Sequence, residues 1–173
     1  EYRNFINSDT TPNAYNRLLF LSRELKKKNL SREKKAFYLK LLIHIAEDIS
    51  QPLHVSATGT RGGNDVKVQW FSTNTNLHSL WDSHMIEHQQ LSYTEYIKAI
   101  NFTTAAQRQT WQSQPLSYWL YDSYVIAQKL HDEIKTTNPR LGYEYNYKHL
   151  EMMNQQLVKG GVRLAKLLND LFG

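Results

Sequence analysis

Two His-x-x-x-Asp spacings stand out in the chain: His44 with Asp48, and His78 with Asp82. On a helix each spacing sets an imidazole and a carboxylate one turn apart on one face, where the pair can clamp a cation. Seven histidines and seven aspartates would yield about 0.3 such pairs by chance, so finding two points toward a metal site. His54 adds another imidazole just beyond Gln51-Pro52, where an extended segment can swing the ring back toward the preceding helix. There is no cysteine, which excludes disulfides, thiolate nucleophiles and sulfur-ligated zinc and leaves His, Asp and Glu as ligands. His44, His54, His78, Asp48 and Asp82 suit catalytic zinc and would also accept manganese or nickel. The same spacing fits a plainer reading: His44 as a satisfied core histidine, Asp48 as a helix-end carboxylate paired with lysine, and Asp82 as a favourable charge near a helix start.

The remaining histidines read differently. His84 lies about 240° round a regular helix from His78, at about 100° per residue, and so faces elsewhere. His88 reads as a surface residue, and His131 and His149 as structural or solvated. Arg61-Gly62-Gly63-Asn64 either lets backbone approach a phosphate or makes an ordinary turn into a strand. Trp70, Phe71 and Trp81 could stack a base or fill a core. No G-x-S-x-G, P-loop or Rossmann glycine pattern occurs, so the chemistry left is metal-assisted hydrolysis.

The elements that must hold these residues are mostly helical. Apolar spacing predicts helices over residues 12–28, behind Asp9, Thr10 and Thr11, and over 31–50, ended by Gln51-Pro52. Residues 58–64 must be loop, and 65–71 alternate like a short strand. Asn76 is a good N-cap for 77–88, residues 93–100 and 115–134 read as helices, and the last helix covers about 146–172. Gly160-Gly161 inside it implies close helix packing or a kink. The fold class is therefore all-α, with room for one small two-stranded ribbon. At 173 residues with 40% hydrophobic side chains, one domain with one real core is expected. No apolar run approaches the roughly 18 residues of a membrane span; the best candidate, residues 36–46, carries Lys40 and His44. The net charge of +5 favours an anionic partner such as nucleic acid or phosphate. Much of it lies in residues 23–35, either a solvated helix end or an electrostatic contact for nucleic acid.

Four strings in order, LLIHIAEDISQPLHV (41–55), RGGNDVKVQW (61–70), NLHSLWDSHMI (76–86) and GGVRLAKLLN (160–169), resemble the S1/P1 nuclease family. These are zinc-dependent enzymes related in fold to bacterial zinc phospholipase C. The resemblance covers residues 36–173 and is sharpest at 41–86. It implies a phospholipase C/P1 nuclease-like helical domain with three zinc ions at the bottom of a cleft. The implied activity is cleavage of single-stranded DNA and RNA and removal of 3′-phosphates from nucleotides. Carried onto this sequence, it makes His44 a ligand of one buried zinc and Asp48 the catalytic carboxylate that bridges to a second. His54, His78 and Asp82 become the full protein ligand set of the third. Asn64 and His84 are the candidate substrate contacts. Clustered zinc would generate hydroxide near neutral pH and neutralise charge building on the phosphate.

In the family the mature chain begins with a tryptophan whose amino group and carbonyl bind zinc, and further His and Asp ligands come from the N-terminal region. This chain starts at Glu1 and has no histidine before His44. The expectation is an N-terminally truncated member in which only the set of His54, His78 and Asp82 is complete, and which is itself inactive if the missing ligands are essential. Its lack of cysteine fits a bacterial rather than a disulfide-bonded eukaryotic member, and the resemblance implies a secreted or periplasmic enzyme. Two alternatives stay open: a phospholipase C-like phosphodiesterase acting on a lipid headgroup, and a noncatalytic fragment that holds nucleic acid through residues 23–35.

Overall fold

Leucines at helical spacing set the first helix, α1 (Ala14–Leu25), which buries Leu18, Leu21 and Leu25 and is capped by the Asn13 side chain. The computed structural model describes Arg3, residues 11–57 and residues 59–173; Asp9 and Thr10 of the expected start signal, and Thr58 of the expected loop, lie outside them. Helix α2 (Arg32–Asp48) begins behind the Ser31 cap and buries Leu42 and Ala46. The basic run between them is solvent-facing, with Lys27 paired to Glu24 at 2.6 Å.

Beyond α2 the chain makes a tight 3-10 turn, Pro52–Val55, with the Gln51 side chain accepting from the Leu53 N–H. Two short strands, β1 (Lys67–Trp70) and β2 (Thr73–Asn76), pair antiparallel, with Lys67 opposite Asn76 and Trp70 opposite Thr73. A third strand, β3 (Arg140–Leu141), lies parallel to β1, so the expected two-stranded ribbon is corrected to a three-stranded sheet ordered β2-β1-β3. Two residues are too few to carry an alternation, and the pairing rests on backbone: Gln69 and Phe71 donate to the carbonyls of Pro139 and Leu141.

Helix α3 runs through Leu77–Ser79, a π-helical turn Leu80–His84, and Met85–Glu87. It starts at the expected Asn76 cap, but its middle is not the regular helix that the spacing predicts. Helix α4 (Tyr93–Ile100) follows as expected, and α5 (Ala105–Ser113) is an addition to the sequence reading. Thr104 and Gln107 form a reciprocal capping box at the α5 start, a readable signal in a stretch too polar to show apolar periodicity. Helices α6 (Leu116–Glu133) and α7 (Tyr143–Phe172) complete the fold.

Two apolar clusters form. One gathers Leu53, Val68, Leu77, Leu80, Trp81, Met85 and Met153; the other gathers Leu18, Leu21, Leu42, Ala46, Val55, Leu120 and Leu164. The 3-10 turn links them, because Leu53 belongs to the first and Val55 to the second. The carbonyls at the end of α2 are buried and satisfied: Ser123 Oγ donates to Ile49 O at 2.7 Å, and Gln156 Nε2 to Ser50 O at 3.3 Å. An α-helix end left without such partners would cost free energy. Asp122 on α6 receives both Lys159 (2.9 Å) and the nearly fully buried Arg163 (3.0 Å) of α7, locking the two long helices together.

Of the Gly160-Gly161 pair, Gly160 answers to packing. A Cβ there would stand 2.8 Å from Ser50 Oγ and 3.1 Å from Ser50 Cβ, whereas one at Gly161 would meet open space. His149 is structural: 2% exposed, it packs on Tyr145 and Trp81 with Nε2 2.9 Å from Glu133. His88 is corrected from surface to half-buried, since its ring lies against Trp70, Phe71 and Tyr143.

Gly161→Ala is expected to stabilise the chain through helix propensity, while Gly160→Ala should be the less stable of the two by about 1–3 kcal/mol from overpacking; urea unfolding of both variants checks the difference. Burial pushes the His149 pKa below its ordinary 6.5 against the opposing pull of Glu133, and burial pushes His131 the same way. A histidine held neutral in the fold binds protons more readily once unfolded, so stability should drop as pH falls below 6.5. Urea midpoints across that range should show a shallower fall in His149→Gln, and an unchanged slope would contradict the assignment.

Candidate metal centre

Two separate pieces of chain bring His54, His78 and Asp82 together. His54 sits at the crest of the Pro52–Val55 turn, between the buried anchors Leu53 and Val55. The segment is a 3-10 turn rather than extended, yet the ring swings back onto α2 as the sequence suggests: Nδ1 lies 3.1 Å from Asp48 O and 2.9 Å from Asp48 Oδ1. His78 and Asp82 come from α3, with Asp82 in the π-helical turn. Such turns are rare and concentrate at functional sites. Trp81, buried next to Asp82, donates its indole N–H to Tyr145 OH at 3.0 Å and so fixes the turn from behind.

The ligating atoms of His54, His78 and Asp82 all lie within 4.8 Å of one another. His54 Nε2 is 3.2 Å from Asp82 Oδ1, and His78 Nε2 is 3.5 Å from Asp82 Oδ2. Ligands at about 2.0–2.1 Å from one tetrahedral zinc stand about 3.3 Å apart, so these separations match the edges of a zinc coordination shell.

Hydrogen bonding fixes the tautomers. His78 Nδ1 faces the Gly62 carbonyl at 2.9 Å, and His54 Nδ1 faces the carbonyl and carboxylate of Asp48. Carbonyls and carboxylates only accept, so both Nδ1 atoms carry hydrogen, and each ring turns its Nε2 toward Asp82. The donor set of two imidazoles and one carboxylate, with the Nδ1 atoms held by acceptors, fits zinc with a coordination position to spare.

His44, Asp48, Gln51, His54 and Asp82 form one wall of a cleft of about 890 Å³, with Tyr93, Ile97 and Ile100 across from them. His44 is exposed on that wall, which corrects the core-histidine reading: Leu42 and Ala46 take the core-facing side of α2. Asp48 lies beside His54 and holds its Nδ1, and it is not one of the three converging ligands. Asn64 and His84 do not line this cleft. Asn64 Nδ2 closes its own turn on Arg61 O at 2.9 Å, and His84 Nε2 faces Thr75 Oγ1 at 3.1 Å.

The Arg61–Asn64 loop does more than turn the chain into β1. Gly62 has φ +61, and a Cβ there would fall 2.7 Å from Leu53 O and 3.2 Å from His78 Nδ1. Glycine lets the backbone come close enough for its carbonyl to orient His78.

The sequence profile described as S1/P1 Nuclease matches residues 7–173. This chain belongs to the S1/P1 nuclease family. It is 32% identical over 155 residues to Endonuclease 2 of Arabidopsis thaliana, covering 75% of this chain and 50% of that protein. Nuclease S1 of Aspergillus oryzae is 31% identical over 154 residues, covering 76% and 53%. Nuclease P1 of Penicillium citrinum is 28% identical over 168 residues, covering 84% and 61%. The chain thus spans about half the length of the first of these relatives. For an S1/P1 family chain, the mostly helical fold with a small sheet agrees with the class read from sequence.

Gly62→Ala should destabilise the fold by about 2 kcal/mol or more, since it adds left-handed strain to a clash with the Leu53 carbonyl. Thermal unfolding measures the loss, and a shift of the His78 ring resonances would report its displaced carbonyl partner.

Proposed function

We propose that this chain carries a catalytic zinc site of a nuclease that hydrolyses phosphodiester bonds in single-stranded DNA and RNA and removes 3′-phosphates from nucleotides. Family membership supports the reaction class. The observation that carries the reading is the convergence of His54 Nε2, His78 Nε2 and the Asp82 carboxylate at the separations of a zinc shell, with both Nδ1 atoms held by acceptors.

His54, His78 and Asp82 hold the zinc. When bound, zinc supplies Lewis acidity, polarising a phosphoryl oxygen and making water acidic enough to attack near neutral pH. Asp48 keeps His54 in its Nδ1–H tautomer and is the catalytic candidate that, with His44, extends the site toward two further zinc ions. The Gly62 carbonyl does for His78 what Asp48 does for His54. Tyr93, 80% exposed on the opposite wall, offers a ring face to an unstacked base. A cleft of this size takes a nucleotide-sized ligand, and single strands reach such a site where a rigid duplex does not. Secretion or the periplasm is the proposed compartment; among the described residues no helix is long and apolar enough to cross a membrane.

Single-stranded DNA cleavage with zinc present should fall by about 100-fold or more in His54→Ala and in Asp82→Asn, in step with loss of bound zinc. Undiminished cleavage in either variant would overturn the proposal. Hydrolysis of a phosphatidylcholine analogue without cleavage of DNA would select the phospholipase C-like reading. Salt-sensitive binding of DNA with no cleavage at any zinc concentration would select the noncatalytic one.

A further inference from the structure

Gln51 touches both halves of the metal centre. Its Oε1 accepts from the Leu53 N–H at 2.6 Å, closing the N-terminus of the turn that carries His54. Its Nε2 donates to Asp82 Oδ1 at 3.0 Å, across 31 residues of sequence. The orientation of the amide is unambiguous, because a backbone N–H can only donate and so identifies the oxygen.

Asp82 needs such a partner. Its side chain is 42% exposed and stands on a π-helical turn. Both neighbouring imidazoles turn their Nε2 atoms toward it, leaving the space between the three groups for a shared cation. Among the described residues Gln51 is the one neutral hydrogen-bond donor to this carboxylate. A carboxylate bonded through Oδ1 has its rotation limited and presents Oδ2 toward His78 Nε2. Gln51 is itself held by its backbone place between α2 and the turn and by the Leu53 bond, so little freedom is lost when the amide engages.

We infer that Gln51 is a positioning residue for the metal centre, coupling the turn that presents His54 to the carboxylate orientation of Asp82 and pre-setting both for the cation. This rests on the zinc reading above. Outer partners of metal ligands typically matter by about 10–100-fold in metal affinity.

Gln51→Asn separates its two contacts. Asparagine is a strong N-cap and can keep the bond to Leu53 N–H, but its side chain is one methylene too short to reach Asp82. Gln51→Met keeps the length and removes both contacts. The full chain is titrated with zinc alone against a chromophoric chelator, and with cobalt to read the visible absorption of the coordination shell. The expected result is about a 10–100-fold weaker zinc affinity in both variants, a changed cobalt spectrum in Gln51→Asn, and circular dichroism like that of the parent. Parent-like affinity and spectrum in Gln51→Asn would overturn the inference and leave Gln51 as a turn cap alone. Parent chain that takes up no zinc would instead overturn the zinc reading itself, so the two failures are distinguishable.

Discussion

Asp82 faces the Nε2 atoms of two imidazoles. Their Nδ1 atoms are held elsewhere, one by Asp48 and one by the Gly62 carbonyl, so both Nε2 atoms are left to converge on one carboxylate. Such a cluster is tolerable when partly open to water and becomes favourable when a cation joins it. Most of what is unusual in the fold serves this convergence: a glycine in left-handed backbone, a π-helical turn, and a 3-10 turn with a histidine at its crest between two buried side chains.

The fold delivers the three ligands by fixing their neighbours rather than the ligands themselves. Leu53 and Val55 plug into separate apolar clusters and leave His54 only one way to point. Trp81, tied to Tyr145 on α7, sets the turn from which Asp82 projects. Ser123, Gln156 and the absence of a Cβ at Gly160 let α6 and α7 close over the end of α2, so that Asp48 arrives at His54 at hydrogen-bonding distance. The ligands remain reachable from the cleft because the rigidity lies behind them.

Much of this was legible in the residues. The i,i+4 spacing put His78 and Asp82 on one face, the Gln51-Pro52 break placed His54 where it could fold back, and the Asn76 and Ser31 caps marked true helix starts. What was illegible is equally physical. The π-helical turn has no sequence periodicity of its own, β3 is a two-residue backbone bridge, and α5 is polar enough that only its capping box announces it. The role of Gly62 depends on an approach to Leu53 and His78 that no local pattern encodes. His44 and Asp48 read correctly as a one-face pair, but spacing could not say that this face would be the cleft wall, with Asp48 spent on orienting His54. Asn64 and His84 stand in the glycine loop and two residues after Asp82, and what sequence could not foretell is that their side chains meet Arg61 O and Thr75 Oγ1.

The most direct test of the account is anomalous scattering at the zinc edge from crystals of this chain grown with zinc. The account predicts a peak at about 2.0–2.2 Å from His54 Nε2, His78 Nε2 and an Asp82 oxygen, with both Nδ1 contacts preserved. Well-occupied zinc elsewhere, with these three side chains still packed against one another and without an ion, would contradict it.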